Sequence, residues 1–446
     1  MILTLDLGTS STKATIWAGN GPASHGRGAV PTTYPRPGWA EQDPSDWWQS
    51  VVNACQQLDS GALASVDAVG FSAARETFAL VSEDGQSLGP GILWSDRRAA
   101  SEPLAGADAG STLAKLAWVA THDPRRWHSA RWVMAPRDVV VFRLTGHPVT
   151  DRTVAARAGF IDHHGSPVTG AGGLLPPVLD STDLVGPALA EPARVLGIGP
   201  GTPVFVGAGD RACEALGAGV MPGSATVSWG TTANTSLPAS TFADPPPRGS
   251  RVSPGALGGW LVEYGLSAAG SAIDWLAKLT ARPARELTAA MAGVSPGAAG
   301  VVAVPWLNGA RAPWWEPGAL AAFFHLTAAH GPEHLARALY EAVGFEVARS
   351  LEACGGVDRL AAAGRGSATP AWLTMLAAIT RRPVERRAAS TDAASAGACL
   401  LVESSFTLDG INPVVETVEP DPALMDCYRS LRDRSDKACQ AVLSLS

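Results

Sequence analysis

Two turns built from glycine and hydroxyl residues carry the chemistry for which this sequence is equipped. Gly8-Thr9-Ser10-Ser11 follows the apolar run 2–6, and Gly230-Thr231-Thr232 follows the apolar run 225–229. Backbone N–H groups that glycine leaves unobstructed, with Ser and Thr hydroxyls beside them, are donors suited to phosphate oxygens. An acid accompanies each turn, Asp6 before the first and Asp210 before the second, and Lys13 lies just past the first as a point charge for a terminal phosphate. Phosphoryl transfer asks for a phosphate cradle, a cation held near carboxylate, and a base that orients the accepting hydroxyl. Either turn alone is a weak signal, but the two together, each with its strand and its Asp, point to that chemistry. A P-loop is excluded, because a strand over 13–17 follows the first turn where a P-loop needs a helix and the spacing G-x-x-x-x-G-K.

The elements that must hold these groups read as mixed α/β. Asn20-Gly21 offers a hairpin turn after the second strand, and Asp43-Pro44 opens a helix over 44–58, with Asp43 as N-cap and Pro44 at its first position. Buried strands are expected over 66–71 and 78–81, with Ser72-Ala73-Ala74-Arg75-Glu76-Thr77 between them. A further strand, 204–206, feeds Gly207-Ala208-Gly209-Asp210, and a helix follows over 212–216. The strand and Gly-Thr-Thr turn near 225–232 echo the amino terminus, as a duplicated domain would. In the second half, Gly331-Pro332-Glu333 opens a long helix with Leu335, Leu339, Val343 and Val347 at four-residue spacing. A glycine turn at 363–367, a helix over 370–379, a strand over 384–386 and a helix over 393–402 complete that half.

Composition narrows the class. The 446 residues exceed one ordinary core, so two domains are expected. Hydrophobic residues at 46% and charged residues at 17% fit a well-buried enzyme. The net charge is −7 and no segment forms a basic stripe, which argues against nucleic acid as partner. The six cysteines are scattered without a C-x-x-C pair, so neither a disulfide framework nor a zinc site is expected. His163 and His164 are adjacent in a glycine-containing turn and read as surface. The first residues enter a strand directly, and no apolar run reaches the roughly 18 residues of a membrane span, so the expected location is the cytoplasm and no membrane partner is expected.

These segments resemble the FGGY family of carbohydrate kinases over essentially the whole chain. The resemblance rests on DLGTSSTK (6–13), GWAEQDPSDWW (38–48), ILWSDRRA (92–99), APRDVVVFRLTG (135–146), GAGDRACEALGAG (207–219), VSWGTT (227–232), PWLNGARAPWW (305–315) and the GRGS…PAW segment (364–372). It implies two RNase-H-like (actin-type ATPase) domains with a central cleft: residues 1–220 as the sugar-binding domain and 221–446 as the ATP-binding domain. It also implies ATP and Mg²⁺ as cofactors and a small sugar or polyol as partner, and it leaves room for a homodimer. By position, Asp210 matches the family's catalytic Asp, and Asp6 the acid near the metal, which Asp210 also faces. Thr9, Ser10 and Lys13 match the first phosphate turn, Gly230 and Thr231 the second, and Gly364, Gly366 and Ser367 the nucleotide-side glycine turn.

The acceptor is less sharply indicated. Arg75 and Glu76 occupy the acceptor-recognition loop, where their fixed donors and acceptors suit vicinal hydroxyls. The triplet Arg75-Glu76-Thr77 looks like glycerol kinases, whereas the overall run of motifs leans to xylulokinases. Trp94 stands either as an apolar wall for the acceptor's carbon chain or as a core residue. Arg211 replaces the neutral amide that both groups carry after the catalytic Asp. It would favour an acidic acceptor if it faced the substrate, or it turns away to pair with Glu214. Other departures are Arg365 at the middle of the glycine turn, Ala321 and His325 in place of two glycines, and a segment shortened between Arg98 and Lys115. A non-catalytic sensor and an actin-fold polymer or chaperone are the competing classes; intact Asp210 and both phosphate turns oppose the first, and the acceptor-side motifs oppose the second.

Overall fold

In a computed structural model of the chain, residues 1–101, 111–168, 173–266 and 268–446 are described. The chain divides into two units: Met1–Gly217 with Ser253–Gly259 and Ala393–Asn412, and Ala218–Val252 with Trp260–Asp392 and Pro413–Ser446. Among the described residues no helix is long and apolar enough to cross a membrane. Part of the segment that reads as shortened after Arg98, residues 102–110, lies outside the described residues.

The first unit is organised by strand Ile2–Leu7. It pairs antiparallel with Ser11–Ala18 through the glycine and hydroxyl turn, and Ser11–Ala18 pairs with Gly21–Ala29 through the turn at Asn20-Gly21. On its other side it runs parallel to Ala68–Ala73, which is flanked by Pro203–Phe205 and the short strand Ala208–Gly209, with Leu184–Pro187 antiparallel to Pro203–Phe205 beyond. Alternation along the strands sorts the two faces. Leu3, Leu5, Leu7, Val69 and Phe71 point into one core, where Trp48, Val51, Val140, Leu144 and Leu196 from helices Pro44–Cys55, Pro136–Thr145 and Ala190–Leu196 meet them.

The residues between them, Thr4 and Gly70, face helix Ala393–Val402. The hydroxyl of Thr4 lies 2.6 Å from that of Ser395, and Trp17 donates to both. A Cβ on Gly70 would stand 2.4 Å from Val402 Cγ2 and 3.0 Å from the Ala398 carbonyl oxygen, so glycine lets the helix settle on the strand. From the sequence this helix belongs to the core of the second half. Its residues are small and apolar almost all round (Ala393-Ala-Ser-Ala-Gly-Ala-Cys399), so no polar face marks which sheet it covers.

The second unit repeats the arrangement. Strand Ser224–Trp229 pairs antiparallel with Ala233–Ala239, which pairs with Trp260–Gly265, and runs parallel to Arg359–Ala363, followed by Val384–Arg387 and Val414–Val418. Helices Gly270–Thr280, Pro332–Ala353 and Pro370–Thr380 supply Ile273, Leu276, Leu339, Val343, Val347, Trp372 and Leu376 to its core. The echo in the sequence is thus matched strand for strand around each turn.

Candidate active site

In the first unit, three loops leave the carboxyl ends of adjacent parallel strands, the end at which α/β sheets expose their ligand sites. Strand register places Asp6 beside Ser72 on one side and opposite Lys13 on the other. The Ser72 hydroxyl donates to Asp6 Oδ1 at 2.9 Å. The Gly8 N–H closes the turn on the carbonyls of Asp6 and Ser11, both at 3.1 Å. The turn is braced from outside as well: Gln42 Nε2 donates to the Thr9 carbonyl (2.6 Å) and Trp94 Nε1 to Thr9 Oγ1 (3.0 Å). Ser10 is exposed and Thr9 and Lys13 are half-buried. Trp94 is 37% exposed, so it is no core tryptophan; it joins the acceptor-side loop to the phosphate turn.

Asp210 emerges two residues after Ala208, which pairs with Ser72, so it stands two strands from Asp6, roughly 10 Å at the usual strand spacing. Helix Asp210–Ala218 begins on Asp210 itself, two residues earlier than the sequence indicates. Its carboxylate, 38% exposed, accepts from Arg75 Nε at 3.1 Å and from the Arg211 N–H at 2.8 Å. Of the two placements open for Arg211, the structure takes the second: its guanidinium meets Glu214 Oε2 at 2.8 Å, three residues along the helix.

Arg75 and Glu76 do not act as a self-contained pair, since each takes a partner from outside the triplet. Arg75 serves Asp210, and Glu76 Oε2 accepts from Arg157 at 2.9 and 3.0 Å. Glu76 also adopts φ 62°, a left-handed conformation unusual for a non-glycine residue. Lys115 supports it from beneath, donating to the Glu76 carbonyl (3.3 Å) and the Leu93 carbonyl (2.9 Å). Thr77 Oγ1 accepts from the Trp94 N–H at 3.1 Å. Lys115 has no exposure, and burial pushes its pKa down to about 8 against the pull of Glu76 and Asp96. Sequence reasoning passed over Arg157 and Lys115. Lys115 did carry a signal: it is one of only four lysines, set in the apolar helical run Leu113-Ala-Lys-Leu-Ala-Trp118.

In the second unit the two remaining turns meet at Trp229. The Gly230 N–H reaches the Thr232 carbonyl at 2.9 Å, while the carbonyls of Gly230 and Thr231 accept from Gly270 and Ser271 at the start of helix Gly270–Thr280. Gly364 has φ 74°, and a Cβ there would stand 2.6 Å from the Trp229 carbonyl oxygen. One on Gly366 would stand 2.5 Å from Trp229 Cβ. Trp229 is itself stacked on Tyr340 (ring centroids 5.0 Å apart) and set edge-on against Trp372 (4.6 Å). Ser367 is fully buried with its hydroxyl on the Gly364 carbonyl and Ser390 Oγ, which ties it to the shape of the turn. Arg365 is exposed and leaves that turn intact. His325 takes φ 61°, the region where a glycine would sit without strain.

Two carboxylates at the same end of one sheet suit Mg²⁺, which keeps several waters and takes one or two carboxylates together with substrate phosphates. Among the described residues no group of three or more His, Cys, Asp or Glu forms a closed metal cage.

Comparison with known proteins gives a consistent picture. The profile of the FGGY family of carbohydrate kinases, N-terminal domain, matches residues 1–217, and that of the C-terminal domain matches residues 225–403. A xylulose kinase of Escherichia coli is 29% identical, with 100% of each chain covered. A glycerol kinase of Cereibacter sphaeroides is 30% identical, with 86% of each covered. Among solved structures, a xyloylose kinase from Brucella ovis superposes with a TM-score of 0.88 at 26% identity, covering 100% of this chain and 99% of that one.

Proposed function

Because the chain belongs to the FGGY family of carbohydrate kinases and is an ATP-dependent sugar kinase, we propose that it phosphorylates a small ketose of the xylulose type with Asp210 as base. The observation that carries this reading is the placement of Asp210 at a helix start. Arg75 steadies its carboxylate there, and Asp6 lies at the same end of the sheet. Asp210 takes the proton of the acceptor hydroxyl as the oxygen attacks the γ-phosphorus in line and ADP leaves. Arg75, Glu76 and Trp94 orient the acceptor. Hydroxyls and N–H groups of Thr9 and Ser10, the Lys13 ammonium, and the turns at Gly230-Thr231 and at Gly364 and Gly366 hold phosphate oxygens. Mg²⁺, when bound, neutralises charge on the β- and γ-phosphates, with Asp6 and Asp210 as the carboxylates that would hold it. Acceptor chemistry is assigned to residues 1–220 and nucleotide binding to 221–446, with segment 393–412 packing in the first unit.

The whole-length likeness to a xylulose kinase supports the ketose. The triplet Arg75-Glu76-Thr77 favours a glycerol-like polyol as second reading. A sugar acid is disfavoured by the pairing of Arg211 with Glu214. The test is ADP release with Mg·ATP over ketoses, polyols and sugar acids, run beside Asp210→Asn. Turnover of a ketose that drops by about 10²–10⁴ in the variant supports the proposal. Glycerol as the preferred acceptor refutes the ketose, and an undiminished Asp210→Asn refutes the base.

A further inference from the structure

The segment that delivers Asp210 is gripped at two backbone atoms from inside the first unit. Arg137, fully buried in helix Pro136–Thr145, donates to the Val206 carbonyl at 3.0 Å and to Asp151 Oδ1 at 2.9 Å. Asp151, also without exposure, accepts at Oδ2 from the Thr153 N–H (2.8 Å), the Thr153 hydroxyl (2.6 Å) and the Ser181 hydroxyl (3.0 Å). With its one proton committed to Asp151, the Thr153 oxygen turns a lone pair to the Gly209 N–H, 2.7 Å away. Gly209 is the residue before Asp210. It has no room for a side chain, because a Cβ would lie 2.6 Å from Arg75 Cδ and 3.3 Å from Thr153 Oγ1. Arg75 thus fixes the Asp210 carboxylate while Thr153 fixes the backbone one residue before it.

We propose that Thr153, oriented by Asp151 and Arg137, is a positioning residue for the phosphoryl-transfer base, setting the Ala208–Gly209 peptide that leads into Asp210. The proposal rests on the reading of Asp210 as base. A buried N–H must find an acceptor, and in this place the acceptor is a hydroxyl whose direction is dictated by a buried carboxylate. Without it the Ala208–Gly209 peptide loses the bond that sets its tilt one residue before Asp210, and a shift of about 1 Å at a reacting group costs up to about 10²-fold in rate. Among the described residues, the hydrogen bonds of this network run to the segment before Asp210 and not to the nucleotide-side turns or the acceptor loop, so the effect belongs to kcat.

The test compares Thr153→Val, Thr153→Ala and Thr153→Ser with Asp210→Asn, using Mg·ATP and D-xylulose, or glycerol where the acceptor screen returns the polyol. Thr153→Val and Thr153→Ala are expected to lower kcat by about 10- to 100-fold with KM for ATP within about twofold, and Thr153→Ser, which keeps the hydroxyl, to recover most of the rate. Alanine is smaller than threonine and carries the comparison should the valine variant not fold. Full kcat in Thr153→Ala, or a loss that serine shares undiminished, overturns the proposal. If Asp210→Asn is inactive while Thr153→Ala turns over at the wild-type rate, the base stands and the positioning role is wrong. If Asp210→Asn is fully active, the base assignment falls and the proposal with it.

Discussion

Replacing Lys115 by Met removes a charge from a place that water does not reach. The Lys115 side chain has no exposure, its Nζ is bound to the carbonyls of Leu93 and Glu76, and burial brings its pKa from the ordinary 10.5 to about 8. The folded protein therefore holds this proton more weakly than the unfolded chain does. Below about pH 8 both states are protonated, and the folded state carries the cost of an interred ammonium. Between pH 8 and 10.5 the folded amine is neutral while the unfolded one is still charged, so the unfolded state binds more protons and stability rises with pH. A gap of about 2.5 pH units at about 1.4 kcal/mol per unit is worth about 3 kcal/mol. Met removes the ammonium from both carbonyls, of which that of Leu93 keeps the Asp96 N–H at 3.1 Å, and this lowers its curve by a pH-independent amount and leaves the slope alone. Tyrosines and cysteines that titrate in this range are common to both proteins and cancel in the difference. Thermal unfolding followed from pH 7 to 10.5 should show wild type gaining on Lys115→Met by about 3 °C where the chain melts as one and about 6 °C where the first unit melts by itself, mostly above pH 8. Two curves that stay parallel across the range would refute the argument.

Arg157→Met leaves the Glu76 carboxylate without its guanidinium, and loss of a charge-assisted bond of about 1.5–3 kcal/mol should raise acceptor KM by about 10-fold or more. KM for ATP is expected to stay put, and steady-state kinetics in both substrates checks the split. Arg211→Gln should leave the ranking of acceptors unchanged, because the guanidinium already serves Glu214; a shift from sugar acids toward neutral polyols would show that it faces the substrate. Gly364→Ala forces a side chain into φ 74° and against the Trp229 carbonyl, a strain of about 1–3 kcal/mol before the clash is counted. It should weaken ATP binding in calorimetric titration while acceptor KM holds, and wild-type ATP affinity would remove this turn from the nucleotide site.

What the sequence made legible is what local pattern encodes. A run of apolar residues, then glycine and hydroxyls, then a second run, specifies strand, turn and strand at Asp6, and the hairpin that follows puts Asp6 opposite Lys13. The helix from Pro44 is similarly local, since Asp43 caps it through the Ser45 N–H as its type and position indicate. What stayed hidden depends on partners far along the chain. Glu76 gives no sign in its own neighbourhood that it adopts a positive φ, or that Arg157 and Lys115 hold it there. Thr153 carries no signal in its own neighbourhood, and only the fold brings it to Gly209. The side chain of Arg365 stands at a position the resemblance gives to glycine, and only its exposure shows that it leaves the turn undisturbed.

The seating of helix Ala393–Val402 on Thr4 and Gly70 has a consequence for synthesis. A ribosome releases the amino-terminal strands early, yet the piece that covers one side of them is made only when most of the 446 residues have been polymerised. Until then Leu3, Leu5 and Phe71 can gather their own helices while the opposite surface stays bare to water and to other nascent chains. A recombinant fragment stopped at residue 220 would inherit the same bare surface permanently, and co-expression with a peptide spanning 393–412 is the natural remedy.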